Sequence, residues 1–332
     1  MGGAARIPGI AFLVLMAGLS RTAAGEFAFP ANCTIGDNCF IQMMPDMDPG
    51  RRATDPFCGS ATRDGYPGTD IRLMSMAEVA RGVEVFAMSA GTVIEARDGL
   101  AGKIVRSKQD AENVFGRECG NGAAIDHGNA TVAYYCHMRR ESVAVAAGDT
   151  VVKGQKIGEI GASGMAYYPG LHVAVTRNGN IVDPVSGRLS GEPCSTTADA
   201  GKSYFSGTKL RGAKFGDTEF LGSGLTGANV AAGRLSKLGP PEKITAQSAR
   251  MIAWSWLVNI RRGDRVQLRL FGPAGGIVAA KTTLPAIKPQ AELAIYAGRN
   301  GRPAPGRYRI VVDLLRDGKP VKTEEKSIVI AG

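Results

Sequence analysis

From about residue 66 to residue 185 the chain is a succession of short apolar runs broken by Gly, Asn and Asp. "VEVFAM", "GTVIEAR", "GKIVRS", "GAAIDHG", "TVAYYCHM", "VAVAAGDTVVKGQKIGEI" and "LHVAVTRNGNIVDP" alternate or stay apolar over strand-length stretches, which predicts strands joined by tight turns. "RNGN" places Asn-Gly where a two-residue hairpin loop needs positive φ. "DAENVF" fits a short helix or a loop. A Gly-, Ser- and Thr-rich stretch from residue 186 onward predicts a linker over 191–216. Beyond it, "RMIAWSWLVNI", "DRVQLRLFGPAG", "IVAAKTTLP", "ELAIYAG" and "GRYRIVVDLLRDGKPVKTEEKSIVIAG" predict a second strand-rich unit over 217–332, closed by an Asp-Gly hairpin. The expected fold class is therefore mainly β: an antiparallel sheet domain over 61–190, then a β-sandwich of Ig-like type.

At 332 residues the chain is long enough for two such domains. Its N-terminus reads as an export signal over 1–25: Arg6 supplies the basic start, "IPGIAFLVLMAGLS" the apolar core, and "RTAAGEF" small residues for cleavage. That run is short for a membrane span, and no later segment is apolar enough for a transmembrane helix. Export to the periplasm or beyond changes how six cysteines read, because an even count there predicts disulfides. Six cysteines allow 15 connectivities. The local pairs are Cys33–Cys39, within a cysteine-stapled lead-in over 26–60, and Cys119–Cys136; elimination leaves Cys58–Cys194. No C-x-x-C pair points to a structural zinc knuckle. The formal charge of +10 suits either solubility or an anionic partner such as a wall polymer or lipid headgroup. Nothing interleaves basic and aromatic residues as a nucleic-acid surface would.

"VAVAAGDTVVKGQKIGEIGASG" has the two turns of a barrel-sandwich hybrid hairpin, as in lipoyl and biotinyl carriers. A carrier needs a lysine at the tip of the facing hairpin, and "GAAIDHGNATVAYYCHM" has none. Together with "GYPGTDIRL", "GVEVFAMSAGTVIEARDG", "CGNGAAIDHG", "YYCHM" and "YPGLHVAV…NGNIVDP", in that order, the stretch instead resembles the LytM/lysostaphin-like zinc peptidases of family M23, which cut peptide cross-links of bacterial cell walls. The resemblance spans about residues 30–190 and implies an M23-like antiparallel β-sheet with a groove across it. It also implies a metal site built from an H-x-x-x-D motif and the second His of H-x-H, with catalytic histidines at the first His of H-x-H and in a separate "Y-x-H". Three protein ligands would leave zinc one open position for water, whose pKa the metal lowers.

Carried over residue by residue, the resemblance assigns Asp70 and His172 as metal ligands and His137 as a catalytic histidine. Tyr66 stands where the first ligand His belongs, and Gly170 where the other catalytic His belongs. Alternation puts positions 170 and 172 on one face of a strand, so His172 is the remaining half of a broken H-x-H pair. A phenol titrates near 10 and is a reluctant zinc ligand at neutral pH; Asp64 is an alternative donor. His127, in "AIDHG", has no role in the implied site and reads as structural. The expectation is an exported M23 peptidase-like protein of the cell wall, catalytically impaired, with weak or absent zinc, that binds peptidoglycan or regulates a wall hydrolase. Two rivals remain: an active zinc endopeptidase with an unusual site, and an adaptor that binds through its C-terminal sandwich.

Overall fold

The computed structural model describes residues 27–196, Phe205 and residues 217–331. The expected export signal, and the expected linker from residue 197 on apart from Phe205, lie outside the described residues. The chain is mainly β, in two units. The first is built on β1 (Cys39–Met43), β2 (Thr69–Leu73), β3 (Glu84–Phe86), β4 (Gly91–Arg97), β5 (Asn121–Asp126), β6 (Thr131–Met138), β7 (Thr150–Val151), β8 (Lys156–Glu159), β9 (Gly170–Arg177) and β10 (Asn180–Val182). Eight of these form one antiparallel sheet in the order β1-β2-β9-β6-β5-β4-β7, with β10 paired to β9, while β3 and β8 pair separately. Two short helices, α1 (Met76–Arg81) and α2 (Lys108–Glu112), fill the connections; "DAENVF" thus begins as a helix. The expected Asn-Gly turn closes β9 onto β10 with Asn178 and Gly179 at φ 49° and 76°, the positive pair that a type I′ turn requires. One expected strand is absent: "GKIVRS" bonds to the 162–166 segment through Lys103 N–H to Ala162 O and Val105 N–H to Ala166 O, too sparse for a ladder.

Alternation along β6 and β9 sends Ala133, Tyr135, Leu171, Val173 and Val175 into a core shared with Ile71, Met88, Ile125, Ile157 and Ile160. Three disulfides brace this unit: Cys33–Cys39, Cys58–Cys194 and Cys119–Cys136. Cys58–Cys194 ties the lead-in to residues 191–196, which also bond through Gly191 N–H to Met47 O and Ser195 N–H to Pro56 O. The start of the expected linker is therefore fastened to the first unit.

The second unit consists of β11 (Glu219–Thr226), α3 (Ala232–Leu238), β12 (Arg250–Ile260), β13 (Arg265–Phe271), β14 (Ile277–Thr282), β15 (Gln290–Asn300), β16 (Gly306–Arg316) and β17 (Lys319–Ile330). A three-stranded sheet, β11-β12-β15, and a four-stranded sheet, β14-β13-β16-β17, enclose a core of Met251, Leu257, Val266, Leu268, Ile295, Ile310 and Val312. β12 is buried on both faces, which explains its unbroken apolar run. Met251, Ala253 and Leu257 face the sandwich core, while Trp254, Trp256 and Val258 pack with Phe40 of β1 and Leu235 of α3. This second cluster joins the two units. Arg72 of β2 crosses the same seam, with no solvent exposure, to Glu292 of β15 at 2.7 Å.

Candidate functional site

Two neighbouring strands deliver the central pair. In the antiparallel register of β2 and β9, Asp70 lies opposite His172 and Arg72 opposite Gly170. Tyr66 arrives on the loop before β2. Buried carboxylates fold that loop: Asp46 accepts from the N–H groups of Thr54 and Gly65, and Asp55 from those of Phe57, Gly59 and Ala61. His137 stands near the end of β6, at φ 69°, its N–H donating to Cys119 O at 2.8 Å. The Cys119–Cys136 disulfide, Cα atoms 4.7 Å apart, therefore fixes a backbone conformation that an L residue seldom adopts. These residues line a groove of about 250 Å³ whose walls also include Met43, Arg63, Met165, Tyr167 and Gly170.

The structure brings Tyr66, Asp70, His137 and His172 together. Asp70 Oδ1 accepts from the Tyr66 hydroxyl at 2.6 Å and contacts His172 Nδ1 at 2.8 Å; Oδ2 accepts from the Tyr168 hydroxyl. The Tyr66 hydroxyl is also 3.1 Å from His172 Nδ1. Burial alone would push the Asp70 carboxyl up, but the hydrogen bonds from His172, Tyr168 and Tyr66 and the charge of His172 hold it below the usual range. The two phenols shift in the direction opposite to Asp70. Burial, then the Asp70 charge, push both Tyr66 and Tyr168 well above the ordinary tyrosine value. Each therefore stays protonated and donates. His137 bonds through Nδ1 to Ser163 O at 2.7 Å, its ring centre 5.9 Å from that of His172. Burial and the neighbouring His172 push it down to about 4, so it is neutral at physiological pH. His127 lies apart, bridging Ala90 O and the Tyr135 hydroxyl.

A zinc ion at this place would need three donors with free lone pairs. The donor set does not fit. Asp70 Oδ1 already faces both the Tyr66 hydroxyl and His172 Nδ1, Oδ2 accepts from Tyr168, and the third candidate, Tyr66, is a phenol whose proton points at Asp70 instead of a histidine with a free ring nitrogen. Among the described residues no three His, Cys, Asp or Glu side chains converge as a metal site. Gly170 is equally constrained. A Cβ there would lie 2.8 Å from Ile71 O, closer than real contacts come, so the strands approach here because position 170 has no side chain. Gly68 plays the matching part for His172, since a Cβ at 68 would meet its Cε1 at 2.7 Å.

Two participants escaped the sequence reading. Tyr168 adjoins the tyrosine of "YYPGLHVAV" that the groove exposes, and nothing in a Tyr-Tyr pair tells which one turns inward. Arg72 shares a face with Asp70 by alternation, and that was its only available signal. Its guanidinium lies between the Tyr168 and Trp256 rings, 5.0 and 5.3 Å from their centres, and donates to Gln42 Oε1 at 3.2 Å. Glu292 in turn accepts from Ser236 at 2.6 Å and Arg106 at 3.1 Å. A contiguous chain of contacts thus runs from the second unit through Glu292, Arg72 and Tyr168 to Asp70.

The first unit has similarities among known proteins. Residues 68–184, within the first unit, match the profile of Peptidase family M23, so this unit contains an M23 peptidase-like domain. Solved structures resemble the chain over about half its length. The catalytic domain of the prophage-encoded M23 protein EnpA from Enterococcus faecalis, solved as a point mutant, is 21% identical, over 48% of this chain and 96% of that one, with a TM-score of 0.31. Lysostaphin from Staphylococcus simulans, through its catalytic domain, is 19% identical over 45% of this chain and 89% of that one, TM-score 0.27. A zinc-containing peptidase from Vibrio cholerae is 21% identical over 47% of this chain and 40% of that one, TM-score 0.28.

Proposed function

We propose that this protein works outside the cytoplasm as a non-hydrolysing M23-like module that holds peptidoglycan peptide in the groove between β2, β6 and β9. One observation carries the reading: the oxygens of Asp70 are taken up by two protonated phenols and an imidazole, an arrangement that closes the cluster instead of leaving it ready for a metal. The groove retains what a peptide ligand needs. It has apolar walls in Met43, Met165 and Tyr167, a cation in Arg63 and a carboxylate in Glu118. All six cysteines are paired, which suits the oxidising compartment where the wall is built.

The test is cosedimentation of the protein with purified sacculi, wild type beside Arg63→Ala/Tyr167→Ala. Both side chains line the groove without hydrogen bonding to Asp70, Arg63 resting over the Tyr66 ring at 4.8 Å. Wild-type binding that drops roughly tenfold in the variant, the effect of removing two principal contacts, supports the reading; equal binding by both proteins, or none by the wild type, removes it.

A further inference from the structure

Of the two described units, the second alone carries a net positive charge. Residues 27–196 carry 16 Lys and Arg against 19 Asp and Glu, whereas residues 217–331 carry 18 against nine. Charge for solubility has no reason to segregate. A basic domain beside a mildly acidic one gives the molecule a polar axis, with its second unit suited to an anionic partner.

The same unit carries two of the barest apolar side chains among the described residues, Leu284 and Ile287, each 84% exposed. Both lie on the β14–β15 loop, which is not a loose tether. Thr283 N–H donates to Val266 O at 2.9 Å, Ala286 N–H to Asp264 O at 2.9 Å, and Gly263 N–H to Ala286 O at 2.8 Å. Ala286 is buried in the sandwich core between its two exposed neighbours, and Pro285 and Pro289 restrict the backbone. The loop therefore holds Leu284 and Ile287 outward by construction. Cations surround it: Lys281 and Lys288 flank it in sequence, and Arg261, Arg262 and Arg265 come from the β12–β13 turn to which it is bonded. Two acids at this pole are engaged, Asp264 with Arg316 at 2.8 Å and Asp217 with Arg261 at 2.6 Å; Asp317, next to Arg316, is a third. Lys281 rests over the half-exposed Tyr296 ring at 4.7 Å, and Ile277, 59% exposed, lies on the adjoining edge strand.

A single exposed leucine is ordinary. Two prongs fixed on a proline-braced loop and ringed by cations match a lipid interface, where apolar side chains enter the headgroup layer while Lys and Arg reach the phosphates. A soluble polyanion would use the cations and have no use for the prongs. We infer that the second unit docks on an anionic phospholipid surface through the β14–β15 loop, with Leu284 and Ile287 inserted and Lys281, Lys288, Arg262 and Arg265 over the phosphates. A contact made by one loop and the cations around it is an interfacial one, shallow and sensitive to headgroup charge.

The experiment is cosedimentation of the exported chain with vesicles of phosphatidylcholine alone and with about a third phosphatidylglycerol, where tens of millivolts of negative surface potential attract basic segments. Binding is expected on the anionic vesicles only, weakening as salt rises. Leu284→Ser/Ile287→Ser, at positions too exposed to matter for folding, is expected to lower it roughly tenfold or more, and Lys281→Gln/Lys288→Gln to lower it and flatten its salt dependence. Failure of the wild type to bind anionic vesicles overturns the inference. So does full binding by the serine variant, which would mark a plain polyanion surface.

Discussion

The contact between Arg72 and Glu292 makes a strong demand on stability, and Glu292→Gln tests it. Arg72 has no exposed side-chain surface, and among the described residues its salt-bridge partner is Glu292 at 2.7 Å, whose own side chain keeps 12% exposure. Its Nε already lacks a partner, and Gln42 Oε1 at 3.2 Å is a neutral acceptor. The amide preserves shape but leaves the guanidinium without a countercharge. Breaking a buried pair in this way costs about 3–5 kcal/mol. The lower end, about 3 kcal/mol, applies here because Glu292 is partly wet and the substitution frees Arg106 to solvent. The chain has only two tryptophans, Trp254 and Trp256, and both lie in the seam, so urea unfolding followed by intrinsic fluorescence reads this contact directly. Arg72→Met/Glu292→Gln, which removes both charges, should recover much of the loss. The pH dependence has a definite sign. Burial alone would raise the Glu292 carboxyl, but Arg72 and Ser236 hold it below the ordinary glutamate value. Its contribution is therefore full above that ordinary value, about 4.3, and fades as pH falls further; in Glu292→Gln that acid-side loss should be missing. A loss below about 0.5 kcal/mol for Glu292→Gln, within the range of ordinary surface substitutions, or a double variant no more stable than the single one, would refute the reasoning.

Three further outcomes are expected. His137 is neutral in the folded protein down to about pH 4, while an unfolded histidine takes its proton near 6.5. Stability is thus full above pH 6.5 and falls by up to about 3 kcal/mol between there and pH 4; His137→Asn, which tolerates the positive φ, should flatten that window in a pH series of urea melts. Gly170→His, the change that rebuilds H-x-H, forces a Cβ to 2.8 Å from Ile71 O; it should cost about 1–3 kcal/mol by overpacking, seen as a lowered melting temperature, and a variant as stable as wild type would show that the strands part easily. Cys58→Ser/Cys194→Ser opens a link between residues 136 apart in sequence; chain entropy puts its worth at about 4–5 kcal/mol, and limited proteolysis should then cut the lead-in first.

Much of the first unit could be read from local pattern because its information is local. Asn178-Gly179 and Asp317-Gly318 each supply two positive φ angles, and alternation along β9 puts Gly170 and His172 on the wall of one groove. The cluster around Asp70 was half legible. The Asp70–His172 pairing follows from a β2–β9 register that the motif order implies. The inward turn of Tyr168, and the proton that Tyr66 donates, depend on three-dimensional surroundings that no spacing encodes. The seam was hidden for another reason. Arg72 and Glu292 are 220 residues apart, and the one trace of their contact is the unbroken apolar run of β12. That run looks like an ordinary buried strand until the first unit is seen covering its second face.

The central claim is that the Asp70 cluster is closed by its own hydrogen bonds and does not hydrolyse the wall. Release of soluble muropeptides from purified sacculi by the wild-type protein supplied with zinc, measured beside Asp70→Ala, tests it most directly. No release above that of the Asp70→Ala protein is the expected result. Release by the wild type that Asp70→Ala abolishes would contradict the claim and make Tyr66 part of a working metal site.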